Sequence, residues 1–204
     1  MDIIVFDLDE TLGYFTQFGI LWYSICYYVK KCLFVDIQTE FNKKKQSYFN
    51  DLLDLYSEFL RPHILSVLFF LKKMKIENKC SKILIYTNNK GPYEWVFFIT
   101  QYFEKKIEYK LFDNIIKEVI INHDVVNLNR RFKFKCHSDL IRCAQVPSNT
   151  KICFIDDTYY SHMKNDNVTY ILISPYIYKL SVNTLISRFF EYDKSQYVLT
   201  ANNR

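Results

Sequence analysis

Two short acidic runs carry the residues best suited to chemistry. Asp7 and Asp9 stand two apart directly after the apolar run 3–6, with Thr11 two further on, and Asp156-Asp157 close the apolar run 151–155. Residues two apart in an extended stretch point the same way, so Asp7, Asp9 and Thr11 can share one side of a loop. Four carboxylates in one small region repel one another, and a cation is the natural remedy. Every candidate ligand is an oxygen and no histidine stands nearby in sequence, which favours Mg2+ over zinc. The same set suits phosphoryl transfer. A carboxylate can attack phosphorus, a metal can neutralise the phosphoryl oxygens, and a second acid can serve the leaving group.

These groups can meet only if the fold brings distant strand ends together. The run 3–6 reads as a buried strand that opens into the polar loop at Asp7. Strand 83–86 runs into Thr87-Asn88 and a loop to residue 92, and a helix follows with Trp95, Val96, Ile99, Tyr102 and Phe103. Strand 151–155 ends at Asp156-Asp157, strand 170–173 follows, and 182–190 reads as a closing helix. Between the first two strands, Tyr48, Phe49, Leu52, Leu53, Tyr56, Phe59 and Leu60 describe an amphipathic helix over 48–60, with a second aromatic helix near 20–31. The lysine-rich stretch 42–47 reads as a solvated turn or a helix start. Arg61-Pro62 opens a helix packed through Ile64, Leu65, Leu68, Leu71 and Met74, and residues 77–79 end it.

The middle of the chain is less regular. Residues 119–121 are read as a strand, 127–135 as a basic polar stretch, and 138–143 as a short helix. Strand and helix alternating in this order argue for right-handed crossovers in a mostly parallel sheet. The C-terminal ends of parallel strands lie on one edge, where open α/β folds bind ligands. Thr87, with the amides opening the next helix, can there hold phosphate oxygens. The expected fold is a Rossmann-like three-layer α/β sandwich forming a single domain, 1–204, with 14–60 as a helical insertion or small cap.

Composition narrows the classes. Half the residues are hydrophobic and 24% are charged, so a packed core is affordable and disorder is excluded. The net charge of +5 favours an anionic partner, yet no basic stripe or recognised reading module marks a dedicated nucleic-acid binder. Six cysteines, at 26, 32, 80, 136, 143 and 153, are scattered without a C-x-x-C pair and read as reduced and structural. Residues 12–29 carry no charge, but Thr16, Gln17, Ser24 and four tyrosines make them a weak candidate for a membrane span. With no secretory start either, the expectation is an intracellular protein, cytoplasmic or nuclear, without a membrane partner.

The run Val5-Phe6-Asp7-Leu8-Asp9-Glu10-Thr11-Leu12 resembles the first motif of the haloacid dehalogenase-like hydrolase superfamily. Ile85-Tyr86-Thr87-Asn88 is similar to its second motif, and Phe154-Ile155-Asp156-Asp157 to its fourth. The resemblance spans roughly residues 3–175. The D-L-D-E-T-L form, with Leu60-Arg61-Pro62 ahead of a helix, leans toward the branch containing phosphatases of the RNA polymerase carboxy-terminal domain.

That resemblance implies roles. Asp7 would be the nucleophile and a magnesium ligand. Asp9 would be the general acid/base and would ligate the metal through its backbone. Thr11 would orient the loop, while Thr87 and Asn88 would bind phosphate. Asp157 would be the direct metal ligand and Asp156 would support it or ligate through water. The phosphate-neutralising lysine of the third motif lacks its Lys-Asp-Leu form here, since Ser138 precedes Asp139-Leu140. The candidates rank Lys135, Lys133, Arg142. Among the histidines, His162 stands five residues past Asp157 and is the one placed to approach the site.

The implied function is a magnesium-dependent phosphomonoester hydrolase working through an aspartyl-phosphate, on a phosphoprotein or a small phosphate ester. One alternative is a nucleotide or nucleic-acid end phosphatase, favoured only by the net charge and the basic run 130–135. The other is a non-catalytic interaction protein that retains the fold.

Overall fold

The computed structural model describes residues 2–31, 34–117, 120–121, 124–125 and 130–192. The chain divides into two compact units, one formed by Met1–Gly13 with Leu60–Ile177, the other by Tyr14–Phe59 with the segment from Tyr178 onward.

The first unit is built on a five-stranded parallel sheet. Its strands are β1 (Asp2–Phe6), β2 (Cys80–Thr87), β3 (Asn114–Lys117), β6 (Ile152–Asp156) and β7 (Val168–Leu172), ordered β3-β2-β1-β6-β7. The short pair β4 (Ile120–Ile121) and β5 (Asp124–Val125) forms a separate antiparallel hairpin. Helices α3 (Ile64–Ile76), α4 (Tyr93–Ile107) and α5 (His137–Ala144) provide the crossovers. The strands are short, nearly continuous apolar runs because both faces of a parallel sheet are covered. On one face Ile3, Val5, Leu84, Tyr86, Ile116, Ile152 and Phe154 pack with Leu140, Cys143 and Ala144 of α5. The alternate residues Ile4, Phe6, Ile83 and Ile85 are buried too, and α3 packs on both β2 and α4. Each such buried side chain stabilises the fold by roughly 1.5–3 kcal/mol.

The register then sets the site. Phe6 lies beside Ile85 on one neighbour and Ile155 on the other, so the residues that follow, Asp7, Tyr86-Thr87 and Asp156-Asp157, emerge side by side.

The second unit is helical. In α1 (Thr16–Lys31), Phe18, Trp22, Ile25 and Val29 recur at helical spacing and are buried. They face α2 (Val35–Leu55), where Phe49 meets Trp22 at 5.2 Å and Phe18 at 5.3 Å in edge-to-face contacts. Helix α6 (Val182–Glu191) closes this unit: Tyr56 Oη donates to Leu185 O at 2.5 Å, and Arg188 pairs with Glu58 at 2.7 Å. None of the described helices is long and apolar enough to cross a membrane.

Several sequence expectations shift in detail. The stretch 42–47 is neither turn nor helix start but the interior of α2. Lysine is a good helix former, and Lys43 and Lys44 lie exposed, with Lys44 paired to Glu40 one turn earlier at 2.5 Å. Helix α3 begins at Ile64, not Pro62, because His63 adopts a left-handed conformation at φ 63°. The expected strand 119–121 proves to be hairpin strand β4, and Val119 itself lies outside the described residues, as do Cys32, His123 and 127–129. The third parallel strand is instead β3, upstream. The five described cysteines are free thiols.

Candidate active site

The loop after β1 is held from several sides. Asp7 N donates to Ile155 O at 2.9 Å, and Glu10, at φ 61°, turns the chain so that its N–H reaches Gly13 O at 2.8 Å. A non-glycine residue in that region costs of order 1 kcal/mol and persists only where its surroundings enforce it. Arg61 is the enforcing group. Its guanidinium donates to Glu10 O at 2.5 Å, Thr11 O at 2.6 Å and Ser174 O at 2.8 Å, while Tyr176 N also donates to Glu10 O at 2.9 Å.

Asp7, Asp156 and Asp157 each offer a carboxylate oxygen, all within 4.8 Å of one another. Asp7 and Asp156 are buried, whereas Asp157 is half-exposed. Lys135, only 1% exposed, places Nζ 2.5 Å from Asp7 Oδ1 and 2.6 Å from Asp156 Oδ2. Burial opposes its charge, but the two carboxylates outweigh that and hold its pKa above the ordinary lysine value. Burial is also the main influence on the acids: it raises Asp7 despite Lys135, with Asp157 adding repulsion, and it pushes Asp156 up to about 6.

Asp156 already uses both oxygens, one toward Lys135 and the other accepting from Thr158 N at 2.8 Å. Asp157 is engaged more lightly, accepting from Thr11 Oγ1 at 3.0 Å and Thr158 Oγ1 at 3.3 Å. Asp9 accepts from Asn89 Nδ2 at 2.6 Å, and burial pushes its carboxyl up to about 6.

The loop after β2 is also braced. Thr87 Oγ1 accepts from Asn89 N at 3.0 Å, which leaves its own O–H as a donor. Asn88 spends its amide on protein partners, accepting from Arg130 and donating to Tyr160 Oη at 3.2 Å. Arg130 donates to Thr87 O at 2.9 Å and lies over the Tyr86 ring at 4.9 Å. Lys117, at the end of β3, donates to Gly91 O and, at 2.8 Å, to Pro92 O.

The structure therefore gathers Asp7, Asp9, Thr11, Thr87, Asn88, Asp156 and Asp157 at one edge of the sheet, with Lys135 among the carboxylates. Lys133 is exposed, and Arg142 pairs with Asp139. His162 is exposed and its ring packs on Phe134 at 4.3 Å. The stretch 130–135 is not one uniformly solvated segment: Arg130 and Lys135 turn inward, and residues 131–134 face out.

Sequence reasoning missed Asn89, Arg130 and Lys117. Asn89 adjoins the Thr87-Asn88 pair and was within reach of that signal. Arg130 was indistinguishable from its basic neighbours, and Lys117 ends a strand that sequence pattern did not show.

The charges make a cation a good fit. The three clustered carboxylates share one ammonium in direct contact, that of Lys135, which bridges Asp7 and Asp156 and leaves Asp157 without a contacting cation among the described residues. The available ligands are oxygens, as a hard divalent ion such as Mg2+ prefers.

The sequence matches no protein-family model and no curated protein. With the hairpin set aside, the parallel strands follow the order 3-2-1-4-5, and an aspartate triad sits at their C-terminal edge. That is a haloacid dehalogenase-like Rossmannoid core.

Proposed function

We propose that the protein is a magnesium-dependent phosphomonoester hydrolase that acts through an aspartyl-phosphate on Asp7. The observation that carries this reading is the cluster of Asp7, Asp156 and Asp157 with Lys135 Nζ bridging the first two. A purely structural buried ion pair would need only one acid per base. Here the acids outnumber the base, as a site for a metal and an anionic phosphoryl group requires.

Asp7, Asp157 and the Asp9 backbone would hold the ion, with Asp156 supporting them. Bound there, the cation would supply charge neutralisation for the phosphoryl oxygens. One Asp7 oxygen attacks phosphorus as the bond to the leaving oxygen breaks, and Asp9 gives that oxygen its proton. Water then attacks the acyl phosphate, Asp9 takes up the water's proton, and inorganic phosphate leaves with Asp7 restored. The raised pKa of Asp9 suits a group that must both give and take a proton near neutral pH. Asn89 keeps its carboxyl aimed. Lys135 and the Thr87 hydroxyl would neutralise and bind the phosphoryl group, and Thr11, which donates to Asp157, would steady it. The Leu60-Arg61-Pro62 segment, with Arg61 clamping the nucleophile loop, supports the lean toward the polymerase-tail phosphatase branch.

The test is hydrolysis of an aryl phosphate by purified protein. Turnover should require Mg2+, stop with chelator and vanish in Asp7→Asn while circular dichroism stays native. Undiminished turnover by Asp7→Asn would remove the nucleophile assignment.

A further inference from the structure

Beside the carboxylate cluster, the loop 131–134 presents Arg-Phe-Lys-Phe outward. Phe132 remains 43% exposed and Phe134 38%, a costly display for two phenyl rings on a loop. The rings pack on one another. Phe132 stacks on Phe134 at 5.1 Å with 22° between planes, and Phe134 packs on His162 at 4.3 Å, forming a three-ring ledge.

The backbone beneath the ledge is pinned by buried charges. Asp139, fully buried, accepts from Arg131 N at 3.0 Å and Phe132 N at 2.9 Å. Arg130, 3% exposed, donates to Phe132 O at 3.0 Å and Lys133 O at 3.2 Å. The same Arg130 braces Thr87, and Lys135, the next residue after Phe134, reaches Asp7. One rigid turn thus carries the lysine of the phosphate site and the exposed ledge together.

We infer that this loop binds a single-stranded nucleic-acid end: a base stacks on the Phe132–Phe134–His162 ledge, Arg131 and Lys133 meet the adjoining phosphodiesters, and the terminal phosphate enters the Asp7 site. The inference rests on the phosphohydrolase reading and names its substrate class. Aromatic stacking serves any base, and exposed cations track a phosphate backbone. The exposed residues 131–134 carry two cations, Arg131 and Lys133, and no acid, beyond the Lys135 that already serves the terminal phosphate. That favours a strand over a mononucleotide or a phosphotyrosine side chain, although the latter could also stack.

Binding of fluorescently labelled octathymidylates, phosphorylated at the 3′ or the 5′ end, is measured by anisotropy on the Asp7→Asn protein with Mg2+ present. This readout needs no turnover, so loss of the phosphatase reading and loss of this one are separable. Phe132→Ala should weaken binding about tenfold or more, and Phe132→Trp should restore it. The double change Arg131→Gln with Lys133→Gln should lower the salt slope by about 1.4, at ~0.7 per phosphate contact on a single strand. In the wild type, kcat/KM for the phosphorylated strand should exceed that for thymidine monophosphate, and Phe132→Ala should shrink that ratio. Binding indifferent to Phe132, equal kcat/KM for thymidine monophosphate, or tighter binding of a phosphotyrosine peptide would each overturn the proposal.

Discussion

Lys135 Nζ lies 2.5 Å from Asp7 Oδ1, although 128 residues separate them. Two parallel strands on either side of one another make this possible, since β1 delivers Asp7 and β6 delivers Asp156 to the same lysine. Lysine at 1% exposure is tolerable only because both carboxylates compensate it.

Removal of that charge should therefore cost stability as well as chemistry. Lys135→Met leaves two buried carboxylates facing each other and should destabilise the fold by about 3–5 kcal/mol in chelator. Adding Asp156→Asn should recover part of the loss, since the two sites are directly coupled. Urea unfolding of the single and double variants measures this. Additive losses would mean that Lys135 is held by something other than the acids.

The two acids of the β6 end should separate in their effects. Asp157→Asn should raise the Mg2+ concentration for half-maximal rate more than Asp156→Asn does, because Asp156 is held by the Lys135 ammonium at 2.6 Å and the Thr158 amide at 2.8 Å, whereas Asp157 is half-exposed and, among the described residues, accepts only from two hydroxyls, at 3.0 and 3.3 Å. Asp156→Asn should instead lower thermal stability more, by disturbing Lys135. The reverse order in metal dependence would exchange their roles.

Arg61 offers a test of loop rigidity away from the reacting atoms. Arg61→Ala frees the carbonyls of Glu10, Thr11 and Ser174. It should reduce kcat by about 10²-fold, through misplacement of Asp7 and Asp9. Arg61→Lys should recover little, because one ammonium cannot reproduce the planar fork that reaches three carbonyls. Steady-state kinetics check this, and an unchanged kcat in Arg61→Ala would show that the loop holds its shape without the clamp.

The aspartates were legible because their neighbours dictate their place: an apolar run long enough to be a buried strand must stop somewhere, and Asp7 and Asp156-Asp157 stand at the stops. Thr87 follows the same logic. Strand β3 was not legible, because Asn-Ile-Ile-Lys offers only two apolar residues and its pairing with β2 comes from the sheet, not from local pattern. Lys135 stood first among three candidates, without a local pattern to separate it from Lys133 and Arg142. What brings the Lys135 ammonium among the carboxylates is the turn at 130–136, shaped by Arg130 and Asp139, which no periodicity reveals. The helix through 42–47 was hidden by its three lysines, whose solvated heads mask a good helix-forming segment.

Lys117 should leave a mark on the pH dependence of stability. It is 3% exposed at the end of β3, and burial lowers its pKa from 10.5 to about 8, with Asp9 acting in the opposite sense. The folded protein thus releases this proton near pH 8, while the unfolded chain holds it until about 10.5. Between those values the unfolded chain binds more protons, so this residue's contribution to stability rises with pH; below pH 8 the cost of burying the charge is fully felt. Cysteines act in reverse over part of this range, since burial raises the thiols of Cys80 and Cys143 and the half-buried Cys153. The informative quantity is therefore the difference between wild type and Lys117→Met. Urea unfolding at several pH values from 7.5 to 10 should show Lys117→Met losing ground to the wild type as pH rises, because only the wild type is relieved of a buried charge. A constant difference across that range would mean that Lys117 keeps its proton in the fold, held by the Gly91 and Pro92 carbonyls and by Asp9 more firmly than burial disfavours it.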